Sequence, residues 1–137
     1  MTLRVAVSAA SAVALMAGAA AACEIPTSLA DGRRVESAGY VVVYRTAPAP
    51  IAVGGRFDVE LAVCPAAGKA PVRGATVDAT MPEHRHGMNY RPEMTTLGPG
   101  RYRAAGLLFH MPGLWRVEFK LATASGTVVV GESLTVD

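Results

Sequence analysis

Three histidines and four methionines crowd one stretch of the sequence, Met81 to Met111, which reads MPEHRHGMNYRPEMTTLGPGRYRAAGLLFHM. His84 and His86 stand one residue apart, Met88 follows, Met94 lies beyond, and His110 and Met111 close the segment. Elsewhere there is no histidine, and the remaining methionines, Met1 and Met16, belong to the apolar N-terminus. Imidazole and thioether are the donors that a soft or borderline metal ion selects. Thioether sulfur favours Cu(I), whereas imidazole serves Cu(I), Cu(II) and Zn(II) alike. Because the stretch has no cysteine, a thiolate-based structural zinc site lacks its ligands. The residue types therefore point to a copper ion, with His84, His86, Met88, Met94, His110 and Met111 as candidate ligands. Met81 ends an apolar run and is expected in the core. Arg85 and Arg91 are cations that oppose a metal and leave an anion or protein partner open.

The parts of an enzyme are missing from this stretch. It has no serine, aspartate, cysteine or lysine, so neither a hydrolytic triad nor an activated thiol can be assembled. Glu83 or Glu93 with Tyr90 would be the only acid–base set. No pattern indicates a substrate, and no enzymatic activity is expected.

The chain that must position these residues starts with a segment of different character. Residues 1–22 carry one charge, Arg4, then the run VAVSAASAVALMAGAAAA. A short basic start, an apolar run and small residues at Ala20 and Ala22 predict a signal peptide cleaved before Cys23, and hence export to the periplasm. Two chemistries compete for Cys23. AAAC resembles a lipoprotein attachment site, which would anchor the protein through lipid. Pairing with Cys64, the only other cysteine, suits an oxidising compartment and an even count, and is the favoured reading.

About 115 residues remain, enough for one domain. Loss of Arg4 takes the formal charge from +2 to +1, so no field exists to collect nucleic acid or an anionic membrane surface. Residues 23–38 are expected as an N-terminal extension and 39–137 as the folded domain. Within that domain short apolar runs alternate with glycine and proline. GYVVVYR from Gly39 is rich in β-branched and aromatic residues and is followed by TAPAP, which cannot continue a ladder. In RFDVELAVC, Phe57, Val59, Leu61 and Val63 alternate with Asp58, Glu60, Ala62 and Cys64. Val72 to Met81 carries Ala75, Val77, Ala79 and Met81 on one side, and WRVEFKLA does the same with Trp115, Val117, Phe119 and Leu121. Such a two-residue period marks strands with one buried face. Met94–Leu97 and Arg101–Phe109 flank the Gly98-Pro99-Gly100 turn, and Thr127–Val136 closes the chain. About seven strands without a capped helical stripe predict an all-β, antiparallel sandwich of immunoglobulin-like or cupredoxin-like type.

Strand parity brings the ligands together. The chain leaves one end of such a sandwich at Met81, loops to about Pro92, descends through Met94, turns at Gly98, and ascends to Phe109. Two passes return it to the end it left, so His110 and Met111 are expected at the rim that carries His84, His86 and Met88. Loops on a rigid sheet scaffold commonly display binding groups.

MPEHRHGMNYRP, the Gly-Pro-Gly-Arg-Tyr turn and GLLFHMPGLWRVEF together resemble the YtkA-like domain family, whose pattern is related to the FixH group associated with cytochrome oxidase assembly. The resemblance covers about residues 39–137. It implies an immunoglobulin-like fold, an exported or membrane-tethered location, and copper handling. Two functions from different classes follow. In one, the protein binds copper and delivers it to a copper-requiring envelope or respiratory protein. In the other it is a metal-independent interaction module whose rim contacts an envelope partner through Arg85, Tyr90 and Arg91, residue types common at interfaces.

Overall fold

The computed structural model describes residues 23–137, so the signal peptide expected over 1–22 lies outside the described residues. A single turn of 3-10 helix, Thr27–Leu29, precedes nine strands: β1 (Arg33–Ser37), β2 (Tyr40–Ala47), β3 (Arg56–Pro65), β4 (Val72–Met81), β5 (His86–Gly87), β6 (Glu93–Gly98), β7 (Arg101–Leu108), β8 (Gly113–Thr123) and β9 (Gly126–Val136). They form two antiparallel sheets, β1-β2-β3-β7-β6 and β5-β4-β8-β9, packed as a sandwich.

The alternating runs fill the space between the sheets. Phe57, Val59, Leu61 and Val63 of β3 are buried against Ala75, Val77, Ala79 and Met81 of β4 and Trp115, Val117, Phe119 and Leu121 of β8. Burying each of the larger side chains contributes roughly 1.5–3 kcal/mol, which fixes register because a one-residue slip would expose the whole set. Behind β2 and β3, Leu29 packs on Val43 and Ala62 and seats the 3-10 turn against the sheet.

Two strands exceed the seven expected. β1 lies inside the segment read as an N-terminal extension. It pairs with β2 from Arg33↔Tyr44 to Ser37↔Tyr40, and its RRVES sequence has no fully buried residue to betray it. β5 has only two residues, too few for any periodicity to register.

Across one edge the sheets are tied by a polar network. The Tyr44 hydroxyl of β2 donates to Glu132 Oε1 of β9 at 2.6 Å, and Arg33 of β1 holds both oxygens of the same carboxylate at 2.8 and 2.7 Å. These Arg33 hydrogen bonds hold the Glu132 carboxyl below the usual range against the opposing effect of burial, with the Tyr44 hydroxyl assisting. Burial and the carboxylate push the Tyr44 phenol upward, so it remains a donor. A Glu132→Leu substitution strands the buried hydroxyl and is expected to cost about 2 kcal/mol at pH 7, measurable by urea denaturation. A depressed folded pKa means that the carboxylate's contribution is complete above the unfolded value and is lost as pH falls through the folded one. The deficit of the variant should therefore narrow between about pH 5 and pH 3.

The sandwich has two chemically distinct ends. Cys23 and Cys64 form a disulfide with Cα atoms 5.5 Å apart, which occupies the Cys23 sulfur that lipid attachment would need. Cys64 pairs with Val41 near the start of β2. At this end the Gly98-Pro99-Gly100 turn also docks, with Val63 N–H donating to Gly100 O at 2.8 Å. Arg56 and Leu108 pair at the other end of β3 and β7. There β4 ends, β8 starts, and all three histidines lie.

Candidate functional site

The histidine rim is built from two connections. The first is the hairpin between β4 and β5. Met81-Pro82-Glu83-His84 closes a turn in which His84 N–H donates to Met81 O at 3.1 Å, with proline at the second position, where its fixed φ fits. Arg85 then takes a left-handed φ of 55° and returns the chain as β5. Met81 pairs with His86 and Thr80 with Gly87, and Met88 N–H donates to Ala79 O at 3.1 Å.

Cross-strand partners share a face, so His86 lies on the same inner face as buried Met81. That face brings it to Trp115, with ring centroids 6.0 Å apart. His84, displaced by the left-handed residue between them, still stacks on His86 at 5.7 Å with an interplanar angle of 27°.

The second connection runs from β7 to β8 and is pinned on both sides of His110. Phe109 is fully buried and its carbonyl accepts Gly54 N–H at 2.8 Å. Its ring stacks on Trp115 at 4.5 Å, nearly parallel, and beside Phe57 at 4.9 Å. Trp115 Nε1–H donates to Met111 O at 3.0 Å. Held between these anchors, the His110 ring lies 5.0 Å from His86 and 5.4 Å from Trp115. Among the described residues His110 Nδ1 is buried with no hydrogen-bond partner, and most buried polar atoms are paired with protein or water. His86 Nδ1 lies 3.2 Å from Gly87 O.

The three imidazoles thus form a row, His84, His86 and His110, at the rim that strand parity predicts. His84 and His86 are stacked, while His86 and His110 meet at a tilt of 35°. Among the described residues no group of three His, Cys, Asp or Glu is set to hold a metal ion. Met88, Met94 and Met111 are half-buried and pack against the main core, with Met94 on β6 opposite Ala104. Met81 is 1% exposed and belongs to the core itself. Gly113 accommodates it, since a Cβ there would lie 2.9 Å from Met81 Cε.

Met88 and Met94 also border a groove of about 440 Å³ beside β4, together with Tyr90, Arg91 and Lys120. Tyr90 is exposed, and the Arg56 guanidinium covers its ring at 4.9 Å. Nearby the β3–β7 pairing shifts register, with Asp58 of β3 opposite two residues of β7, Ala105 and Gly106. Asp58, at the shift, accepts Gly106 N–H at 2.9 Å and pairs with Arg103. Arg103, followed by that amide, holds the Asp58 carboxyl below its ordinary value.

Sequence reasoning placed Trp115 in the core without its role as the surface on which His86 and His110 rest. The signal available was its position four residues after Met111, across a Pro-Gly turn. The Arg56–Tyr90 contact carried no signal, because it joins side chains from β3 and from the loop after β5 that are far apart in sequence.

A family model described as YtkA-like matches residues 34–120, more than half of the chain. The comparisons with curated proteins and with solved structures give no significant match.

Proposed function

The chain belongs to the YtkA-like family, and from that premise we propose that it is an exported, non-enzymatic protein that binds copper at the histidine rim and delivers it to a copper-requiring envelope or respiratory protein. The observation that carries this reading is the row of three imidazoles at 5.7 and 5.0 Å, ending in His110 Nδ1, which is buried and unpartnered. His84, His86 and His110 would supply nitrogen, and Met88, Met94 or Met111 a thioether. Small rotations of His84, on the exposed hairpin turn, would open the stack toward a shared ion. His110 is pinned on both flanks, so it would act as the fixed ligand to which the hairpin closes.

This donor set suits a cargo ion better than a resident one. Thioether and imidazole together accept Cu(I) without the thiolates that would hold it permanently, and imidazole also accepts Cu(II). Titration of the disulfide-bonded protein with Cu(I) and Cu(II), against a competing chelator, tests the proposal. A His84→Ala/His86→Ala variant should lose at least about a hundredfold in affinity, since removing two ligands should cost no less than the roughly 10–100-fold typical of disturbing a ligand's outer-shell partner. Because protons compete for imidazole nitrogen, affinity should also fall below about pH 6. An affinity no better than micromolar for both ions, unchanged in the double variant, removes copper from the account.

A further inference from the structure

The three imidazoles differ in what their ring nitrogens touch. A neutral imidazole carries a proton on one nitrogen and a lone pair on the other, and only the lone pair takes a metal ion. His86 Nδ1 lies 3.2 Å from the carbonyl oxygen of the next residue, Gly87. A carbonyl oxygen only accepts, so Nδ1 holds the proton and Nε2 the lone pair. Ligating histidines have this form, with the second nitrogen donating to a carbonyl, carboxylate or water and so fixing the ring.

His110 is the reverse case. Among the described residues its Nδ1 is buried and meets neither donor nor acceptor, whereas Nε2 on the same half-buried ring is not enclosed in this way. A proton on Nδ1 would be an orphaned buried donor, which folded proteins tolerate less than an unsatisfied acceptor. On Nε2 the same proton is met by water. The lone pair of His110 is therefore the inward one, on Nδ1. His84 is exposed on the hairpin turn and makes no side-chain hydrogen bond among the described residues, so neither of its nitrogens is fixed.

Building on the copper reading, we propose that His86 and His110 bind the ion through different ring nitrogens, Nε2 of His86 and Nδ1 of His110, and that the fold has cleared both of protons before the ion arrives. The two rings then do different work. Bound through Nδ1, the ion sits close to the His110 main chain, on a connection pinned by Phe109 and by the Trp115 indole. Bound through Nε2, it hangs from the far corner of the His86 ring, on the hairpin. Exchange with an acceptor therefore begins at His86, and His110 lets go last.

The test reads the ring nitrogens directly, by long-range proton–nitrogen correlation spectra of the intact, disulfide-bonded protein with isotope-labelled histidine at about pH 8, where imidazoles are neutral. Without metal, His86 should show the Nδ1–H form, His110 the Nε2–H form, and His84 a mixture of the two. An equivalent of Cu(I), added without oxygen, should move His86 Nε2 and His110 Nδ1 out of the lone-pair region and leave the other nitrogen of each ring near its protonated position. The Nδ1–H form of His110 or the Nε2–H form of His86 in the metal-free protein overturns the assignment. A Cu(I) shift at His110 Nε2 or His86 Nδ1 overturns it as well, while leaving copper binding in place. Metal-free spectra as expected, with no nitrogen moved by Cu(I), instead remove copper binding itself, and the ligand assignment with it.

Discussion

Replacing Trp115 with alanine is expected to destabilise the protein by about 4 kcal/mol, in the range for removal of a large buried aromatic side chain. The ring is fully buried and supports two structures at once. It stacks on Phe109 at 4.5 Å, closing the core at this end of the sandwich, and its indole N–H fixes the Met111 carbonyl at 3.0 Å. Truncation removes the apolar contact, leaves a cavity and frees the connection that carries His110. Trp115→Phe separates these roles. It keeps most of the stacking area but leaves Met111 O without its donor, which should cost about 1–2 kcal/mol. Since Trp115 is the only tryptophan, far-UV circular dichroism during urea denaturation is the appropriate probe. A midpoint shift at constant slope reports stability alone. A loss below about 1 kcal/mol for the alanine variant would mean that the rim is held without the indole.

Removal of the Cys23–Cys64 link should have an effect of similar size by a different route. The two residues are 41 apart in sequence, and closing a loop of that length lowers the entropy of the unfolded chain by an amount worth about 4 kcal/mol at the upper end. In the folded state the N-terminal segment is otherwise seated by Leu29 against Val43 and Ala62, so the double variant Cys23→Ser/Cys64→Ser should retain its sheets and unfold at lower denaturant. A loss of stability without a change in native circular dichroism supports this account. An unchanged midpoint would mean that the unfolded chain gains little freedom when the link is absent.

Period-two burial made most of the fold legible. Phe57 to Val63, Ala75 to Met81 and Trp115 to Leu121 each alternate cleanly, and all face the space between the sheets. β1 escaped because Arg33–Ser37 is an edge strand with no buried residue, whose partner Tyr44 is informative only once the pairing is seen. β5 escaped because two residues after a left-handed Arg85 have no period at all.

At the site, counting strand passes from Met81 to Phe109 was enough to place His110 beside His86. That argument uses direction alone. It could not show the angles at which the rings meet, since both His86 and His110 also contact Trp115 edge-on. Nor could it foresee the groove, which exists because the chain changes sheets after Met88.

The remaining consequence concerns placement. β3 has ten residues and runs the length of the sandwich, about 30 Å at the usual rise per residue, with the cystine at one end and the imidazole row at the other. On the proposed function, an ion held among the imidazoles would lie at the opposite end of the sandwich from the cystine sulfurs. The disulfide would then serve the fold at one end while the imidazoles serve binding at the other.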